Sequence, residues 1–264
     1  MSKIKTVKGG VTAAKGFLAG AVFAGIKAAN KRREDMALVA SEVPAAAAGV
    51  FTTNRVKAAP VRVSKAHLKA KTARAVLLNS GNANACTGPC GISASKALAS
   101  GAAEVLGCAT GQILVCSTGR IGVPLPVEKM KEKLPDLAAR LSAKGGSAAA
   151  RAIMTSDSFA KEYAVEVRAP GGTFRIGGMA KGAGMINPNM ATMLCVVTTD
   201  AKISKGTLQN ALHQAAERTF NRITVDGDMS TNDTMLVLAN GAAGGASIKS
   251  GTPDLALFSE ALNE

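Results

Sequence analysis

Short, almost unbroken apolar runs alternate along this chain with Ala-rich stretches of helical patterning, and glycine-rich turns separate them. Met36–Ala40, Ala73–Leu78, Ile113–Cys116, Met193–Val197 and Thr234–Ala239 are such runs. They read as strands, Met193–Val197 as a buried one. Tyr163–Val167 and Thr173–Ile176 instead alternate apolar and polar positions around Ala169-Pro170-Gly171-Gly172, which predicts an antiparallel hairpin. Val50–Thr52 and Val61–Val63 read as further strands with a turn at Thr53-Asn54-Arg55, which makes Arg55 and Arg62 solvated strand-edge charges. Helical patterning covers Ile92–Leu106, Pro126–Leu141, Lys205–Thr219 (with His213 on the surface) and the final segment from Thr252 to Glu264. A short helix follows a loop at Lys144–Ala150 and closes on Arg151–Asp157. The interleaving of strands and helices predicts an α/β fold.

The N-terminus carries Lys3, Lys5 and Lys8 ahead of a mildly apolar Gly16–Ile26, a crude imitation of a secretion signal. Glycines interrupt that segment and it runs into Lys27, so it reads as a Gly-rich hairpin or strand. No apolar run reaches membrane-spanning length.

Composition changes the picture in three ways. With 47% hydrophobic residues the 264-residue chain is globular, large enough for one big domain or two modest ones. Aromatics are only 3% and Trp is absent, so small aliphatic side chains must fill the core. The formal charge of +14 raises nucleic acid as a partner, but the basic residues are scattered and no aromatic stacking set interleaves them. A basic surface or a local acidic ligand accounts for the charge, with no nucleic acid and no membrane. The five cysteines are an odd number, against a full disulfide framework. Cys86 and Cys90 have a metal-compatible spacing, but no second pair follows and His67 and His213 are remote. Reduced cysteines acting as small hydrophobes point to a cytoplasmic protein. Asp226–Asp233 is an acidic, Gly-containing turn without EF-hand spacing, and phosphate-loop and dinucleotide fingerprints are missing. Neither a metal nor an organic cofactor is therefore expected.

Two stretches carry candidate chemistry. In residues 181–200, a turn-rich approach from Lys181 leads through Asn187-Pro188-Asn189 to Ala191-Thr192 at the mouth of an apolar strand. The Thr192 hydroxyl can attack the Ala191 carbonyl, and hydrolysis of the resulting ester frees Thr192 as a new N-terminus. Its hydroxyl is then a nucleophile with its own α-amine as base. The residues alone leave the plain alternative, a threonine at a strand edge. In Ser117–Gly122, Thr118 and Gly119 follow a strand, where a hydroxyl and a backbone N–H can meet one oxygen. The plain alternative there is a turn with a self-satisfied hydroxyl.

Residues 181–194, KGAGMINPNMATML, closely resemble the cleavage and nucleophile motif of the glutamate/ornithine N-acetyltransferase family of arginine biosynthesis. GVFTTNRVKAAPV, NSGNANACTG, Ser117-Thr118-Gly119 and the Asp226–Asp233 loop resemble that family too, so the likeness covers essentially the whole chain. It implies a precursor that cuts itself between Ala191 and Thr192. It makes Thr192 the nucleophile and Thr118 with Gly119 the oxyanion pair. Thr155 becomes a substrate-binding residue, and Lys181 a cation for the substrate carboxylate beside the nucleophile. It implies ping-pong transfer of acetyl from N-acetylornithine to glutamate, with acetyl-CoA accepted by some members. The implied assembly is a heterotetramer of two α and two β chains. The implied fold is a layered alpha-beta-beta-alpha sandwich of the ornithine acetyltransferase/aminopeptidase type, distinct from the standard N-terminal-nucleophile hydrolase fold. Residues 1–191 would form the main α/β domain, and 192–264 the start of a second, incomplete one.

Two departures are mild: Ser156 replaces a second threonine and Met229 stands where threonine is usual. A third is larger. Family members run on considerably further, with a Gly-Glu-Gly-Ala-Thr-Lys-like motif and C-terminal polar residues that complete the pocket. This chain, as a fragment or a truncation, is thus expected to retain at most self-cleavage when alone. The alternatives are a threonine-nucleophile amidase or aminopeptidase, and an inactive truncated homologue with a structural role.

Overall fold

A computed structural model describes residues 3–27, 33–185 and 193–264. The Asn187-Pro188-Asn189 run and the Ala191-Thr192 junction lie outside the described residues. The strands are β1 (Ile4–Thr6), β2 (Phe17–Val22), β3 (Met36–Phe51), β4 (Ala73–Asn79), β5 (Ile113–Ser117), β6 (Lys161–Ala169), β7 (Gly172–Lys181), β8 (Leu194–Thr199) and β9 (Thr234–Ala239). The helices are α1 (Ala59–His67), α2 (Gly88–Leu106), α3 (Val127–Glu132), α4 (Leu134–Ala139), α5 (Gly146–Ala152), α6 (Lys205–Arg218) and α7 (Pro253–Asn263).

The strand order is β1-β6-β7-β8-β9-β3-β4-β5, with β2 also paired to β3. Strand β3 belongs to both leaves of this sheet. Its first half pairs with β2 and β4, its second half pairs with β9, and the register shifts between Ala40 and Ala45. Such an irregularity bends a strand and lets it pass from one layer to the next. The two leaves then lie face to face. Leu194 and Val196 of β8, Leu236 and Leu238 of β9, and Val76 and Leu78 of β4 meet in the central core. Their neighbours point the other way. Cys195, Val197, Met235 and Val237 pack under α6 and α7, while Ala75, Leu77, Ile113 and Val115 pack under α2, α3 and α4. Both faces of these strands are covered, which is why they are apolar throughout rather than alternating. The result is the expected α–β–β–α layering.

Two helical segments differ from the sequence expectation. Val61–Val63 is not a strand but lies inside α1, so Arg62 is exposed on a helix rather than at a strand edge. Pro60 sits in the first turn, where its fixed φ and missing N–H suit a helix start. Val61, Val63 and Ser64 are buried, and the Ser64 hydroxyl donates to the Val115 carbonyl at 2.7 Å. The stretch Pro126–Leu141 forms two short helices, α3 and α4, because Pro135 has no N–H to continue the first. Elsewhere the elements match and extend. Helix α2 starts at Gly88, four positions ahead of Ile92, with proline in its first turn. In α6, Leu208, Ala211, Leu212, Ala215 and Ala216 form the buried stripe, and Ser204 caps the N-terminus by accepting from Thr207 N–H at 3.2 Å. His213 is exposed, as its helix-surface position predicts.

Strands on both sides of residue 191 share one ladder. β8 pairs antiparallel with β7 and parallel with β9, and β9 pairs with β3.

Candidate active site

The neighbouring ends of β5, β7 and β9 place polar side chains around one cavity of about 390 Å³. Its lining includes Thr118, Gly119, Thr155, Ser156, Lys181 and Asn232. A larger cleft of about 540 Å³ lies between the outer face of β6–β8 and the end of α7, and its walls are mostly apolar. The smaller cavity is the candidate because the residues expected to act together converge there.

Thr118 follows β5 directly. Its N–H donates to the Asn79 carbonyl at 3.0 Å, and the Ser117 hydroxyl donates to the Asn79 side-chain carbonyl at 2.7 Å. Asn79 in turn donates to the Asn82 carbonyl at 2.8 Å. The Asn-rich loop after β4 is thus a self-bonded scaffold for the end of β5. Gly119 has φ +131, and a Cβ built there would stand 2.3 Å from the backbone carbon of Gly81. Only glycine fits, so its backbone lies close against the scaffold and beside the cavity.

Lys181, the last residue of β7, is only 4% exposed. Its ammonium donates to the Thr118 hydroxyl at 3.2 Å. A hydroxyl that accepts from a lysine is left with its own hydrogen free to donate onward, as an oxyanion donor must. Burial pulls the lysine pKa below its ordinary value, and the like charge of Lys161 adds to that, while Asp157 and Asp233 oppose it. Asp157 is a buried hub. Burial pushes its carboxyl up, yet Lys161 at 2.7 Å and the N–H groups of Gly182 and Thr155 hold it below the ordinary range. It therefore fixes both the Thr155 loop and the segment leaving Lys181. Thr155 and Ser156 are exposed at the cavity wall.

The third wall comes from the loop before β9. Asn232 donates to the carbonyls of Ala83 at 2.6 Å and Ser117 at 2.8 Å, pinning the Asn-rich loop to β5. Asp233 is fully buried and accepts from Met193 N–H at 3.0 Å. Burial lifts its pKa to about 7, against the pull of Met193 N–H, the Ser230 hydroxyl and Lys181. Its Oδ2 has no hydrogen-bond partner among the described residues.

The structure therefore brings Thr118, Gly119, Thr155 and Lys181 together, while Ala191 and Thr192 fall outside the described residues; Met193, bonded to Thr192, is anchored on Asp233 and Thr234 at the same strand ends. Sequence reasoning passed over Asp157 and Asp233. The available signal was that each is an acid at the end of a hydroxyl-rich phrase, Thr-Ser-Asp and Thr-Asn-Asp. Among the described residues no group of three or more His, Cys, Asp or Glu side chains is placed to hold a metal.

This α/β fold, with its mixed sheet and helices, matches that of the ornithine acetyltransferase structural family. The chain belongs to the ArgJ family, whose sequence profile matches residues 18–264. It is similar to the arginine biosynthesis bifunctional protein ArgJ of Symbiobacterium thermophilum, 51% identical over 254 residues, 96% of this chain and 63% of that relative. The chain thus spans less than two thirds of that relative's length. The crystal structure of arginine biosynthesis bifunctional protein ArgJ from Bacillus halodurans superposes with TM-score 0.66 at 35% identity, covering 71% of this chain and 98% of that one. Ornithine acetyltransferase from Mycobacterium tuberculosis, solved with ornithine, superposes with TM-score 0.64 at 41% identity, covering 72% of this chain and 100% of that one. No helix among the described residues is long and apolar enough to cross a membrane.

Proposed function

We propose that this chain is the self-cleaving, acetyl-carrying portion of a glutamate N-acetyltransferase. The observation that carries this reading is the contact of Lys181 with the Thr118 hydroxyl at 3.2 Å, beside Gly119 and Thr155 in a cavity at the strand ends where Met193 is anchored. In the processing step the Thr192 oxygen bonds to the Ala191 carbonyl carbon, the C–N bond breaks, and the hydroxyl proton passes to the departing nitrogen. Water then splits the ester, leaving the Ala191 carboxylate and restoring the Thr192 hydroxyl. The two pieces, 1–191 and 192–264, would stay joined through β7–β8 and β3–β9 pairing.

In transfer, Thr192 attacks the acetyl carbonyl of N-acetylornithine and its α-amine takes the hydroxyl proton. Thr118 Oγ1 and Gly119 N–H hold the developing oxyanion. Ornithine leaves with the proton held by the α-amine; the glutamate amine then attacks the acetyl carbon, the ester bond to the Thr192 oxygen breaks, and the amine's proton passes through the α-amine back to that oxygen. Lys181 serves the substrate carboxylate, and Thr155 positions its backbone end. Chemistry confined to Thr192 needs no metal or organic cofactor. Acetyl-CoA is a further donor, and two copies of each piece form the assembly. The five unpaired cysteines favour the cytoplasm.

The test is formation of acetylglutamate from N-acetylornithine and glutamate. It is run on this chain and on the chain extended by the C-terminal region that the relatives carry. Transfer is expected from the extended chain. No transfer from either, with both folded and cut, refutes the reading. Robust transfer by the short chain alone would show that the added region is dispensable.

A further inference from the structure

The cavity that gathers Thr118, Gly119 and Lys181 carries one charge of each sign on its wall. Among the described lining residues the charged side chains are Lys181 and Asp226. Lys181 ends β7 and touches the Thr118 hydroxyl, so the positive charge stands at the Thr118–Gly119 turn. Asp226 comes from the loop between α6 and β9 and is exposed at the cavity. Its Oδ2 accepts from Met185 N–H at 2.7 Å, and its Oδ1 accepts from Asp228 N–H at 3.3 Å. The first bond ties it to the segment that leaves Lys181, and the second curls its own loop around it. The carboxylate is thus held in place at the cavity wall. A carboxylate offers about four acceptor sites, so it can hold a backbone N–H and an ammonium together.

The other acids facing Lys181 are placed differently. Asp157 is engaged by Lys161, Gly182 and Thr155, and Asp233, on which Met193 N–H and the Ser230 hydroxyl act, is fully buried. Neither stands among the described residues of the cavity wall. A cavity of about 390 Å³ equals a sphere roughly 9 Å across, the size of a small amino acid derivative. N-acetylornithine brings an acetyl carbonyl, an α-carboxylate and a side-chain ammonium about 6 Å from the carboxyl carbon. With the carbonyl at Thr118 and Gly119 and the carboxylate at Lys181, the side chain is left to reach the rest of the wall. An ammonium drawn out of water needs an anion beside it.

We infer that Asp226 is the specificity residue for the donor's side chain: its carboxylate receives the terminal ammonium of ornithine while Lys181 holds the α-carboxylate. This rests on the reading that N-acetylornithine occupies this cavity. The same polarity sorts the two substrates. Glutamate carries a carboxylate where ornithine carries an ammonium, so Asp226 attracts the donor and repels the acceptor. Asp226 touches no reacting atom, and its effect falls on affinity rather than on turnover.

The experiment measures binding by calorimetry on the chain extended by the C-terminal region that the relatives carry, wild type against Asp226→Asn. Asparagine keeps an oxygen for Met185 N–H and loses the charge. The probes are ornithine, norvaline and glutamate, none of which has an acetyl group to transfer. Norvaline has ornithine's carbon skeleton without the terminal nitrogen. Wild type is expected to bind ornithine about three- to tenfold more tightly than norvaline, and Asp226→Asn to bind the two alike. Glutamate is expected to gain affinity in the variant. Asp226→Glu, which keeps the charge, is expected to restore most of the preference for ornithine. A wild type without that preference overturns the proposal and needs no variant to do so. An Asp226→Asn chain that keeps the preference overturns it as well. Equal losses for all three probes mark a displaced loop rather than a lost charge, and they overturn it too. Failure of the parent reading looks different: a folded wild type that binds neither ornithine nor glutamate removes the site, and this inference with it.

Discussion

Gly119→Ala tests how tightly the Thr118–Gly119 turn, proposed above as the oxyanion pair, is built. The φ of +131 at this position is one that side-chain-bearing residues rarely adopt, at a cost of about 1–3 kcal/mol. The added Cβ would also lie 2.3 Å from Gly81 C, 2.5 Å from Asn82 N and 2.7 Å from Gly81 O. All three are backbone atoms of the loop that Asn79, Asn82 and Asn232 pin in place, so no flexible side chain can give way. Forcing a methyl into such a site typically costs about 1–3 kcal/mol more. The sum is about 2–6 kcal/mol, or on the order of 5–20 °C in melting temperature for a domain of this size. Gly122→Ala is the control. Its φ is also positive, at +78, but nothing lies within 4 Å of the added carbon. It should therefore lose only the conformational part, about 1–2 kcal/mol. Thermal unfolding by circular dichroism separates the two. If Gly119→Ala melts with Gly122→Ala or with wild type, the close approach of the turn to the Gly81–Asn82 backbone is not real, and the oxyanion geometry built on it fails.

Thr118→Ala in the extended enzyme should lower turnover by about a hundredfold or more while substrate affinity stays near normal; steady-state kinetics check this, and a loss confined to affinity would make Thr118 a binding residue instead. Asp233 also predicts a pH dependence of stability. Burial lifts its pKa from 3.8 to about 7, so folding of the uncut chain takes up a proton between those values. Stability of Thr192→Ala should therefore fall as pH rises through that window, by at most about 1.4 kcal/mol per unit, and level off above it. Asp157 works with the opposite sign: held below 3.8, it contributes stability that is lost only as pH falls further. Adding Asp233→Asn should flatten the upper window, and urea unfolding at a series of pH values that shows the same fall with and without Asp233 would refute the assignment.

The strands were the most legible part of the chain, because a strand covered on both faces must be apolar throughout, as in Leu194–Val197 and Leu236–Ala239. Strand β3 was legible only at its ends. Its middle, Ser41–Ala48, is mixed and Ala-rich, and the passage between layers near Ala40–Ala45 has no local signature. The two helical misreadings both hinge on proline: Pro60 opens a helix across valines that otherwise favour a strand, and Pro135 divides what the amphipathic pattern runs together. Of the site, Thr118, Gly119, Thr155 and Lys181 were found through motif resemblance. Their convergence depends on pairings between strands far apart in sequence, which no local pattern records. The same holds for Asp157 and Asp233. Their importance comes from burial beside Lys181 and Met193, and in the sequence they are merely acids in polar loops.

The proposed chemistry depends on Thr192 becoming an N-terminus. The most direct measurement is the intact mass of purified chain after prolonged incubation, alongside Thr192→Ala. Wild type is expected to resolve into residues 1–191 and 192–264, with threonine at the new N-terminus, and Thr192→Ala to remain whole because the attacking oxygen is gone. A folded wild-type chain that stays whole, or a Thr192→Ala chain that is cut at the same bond, would contradict it.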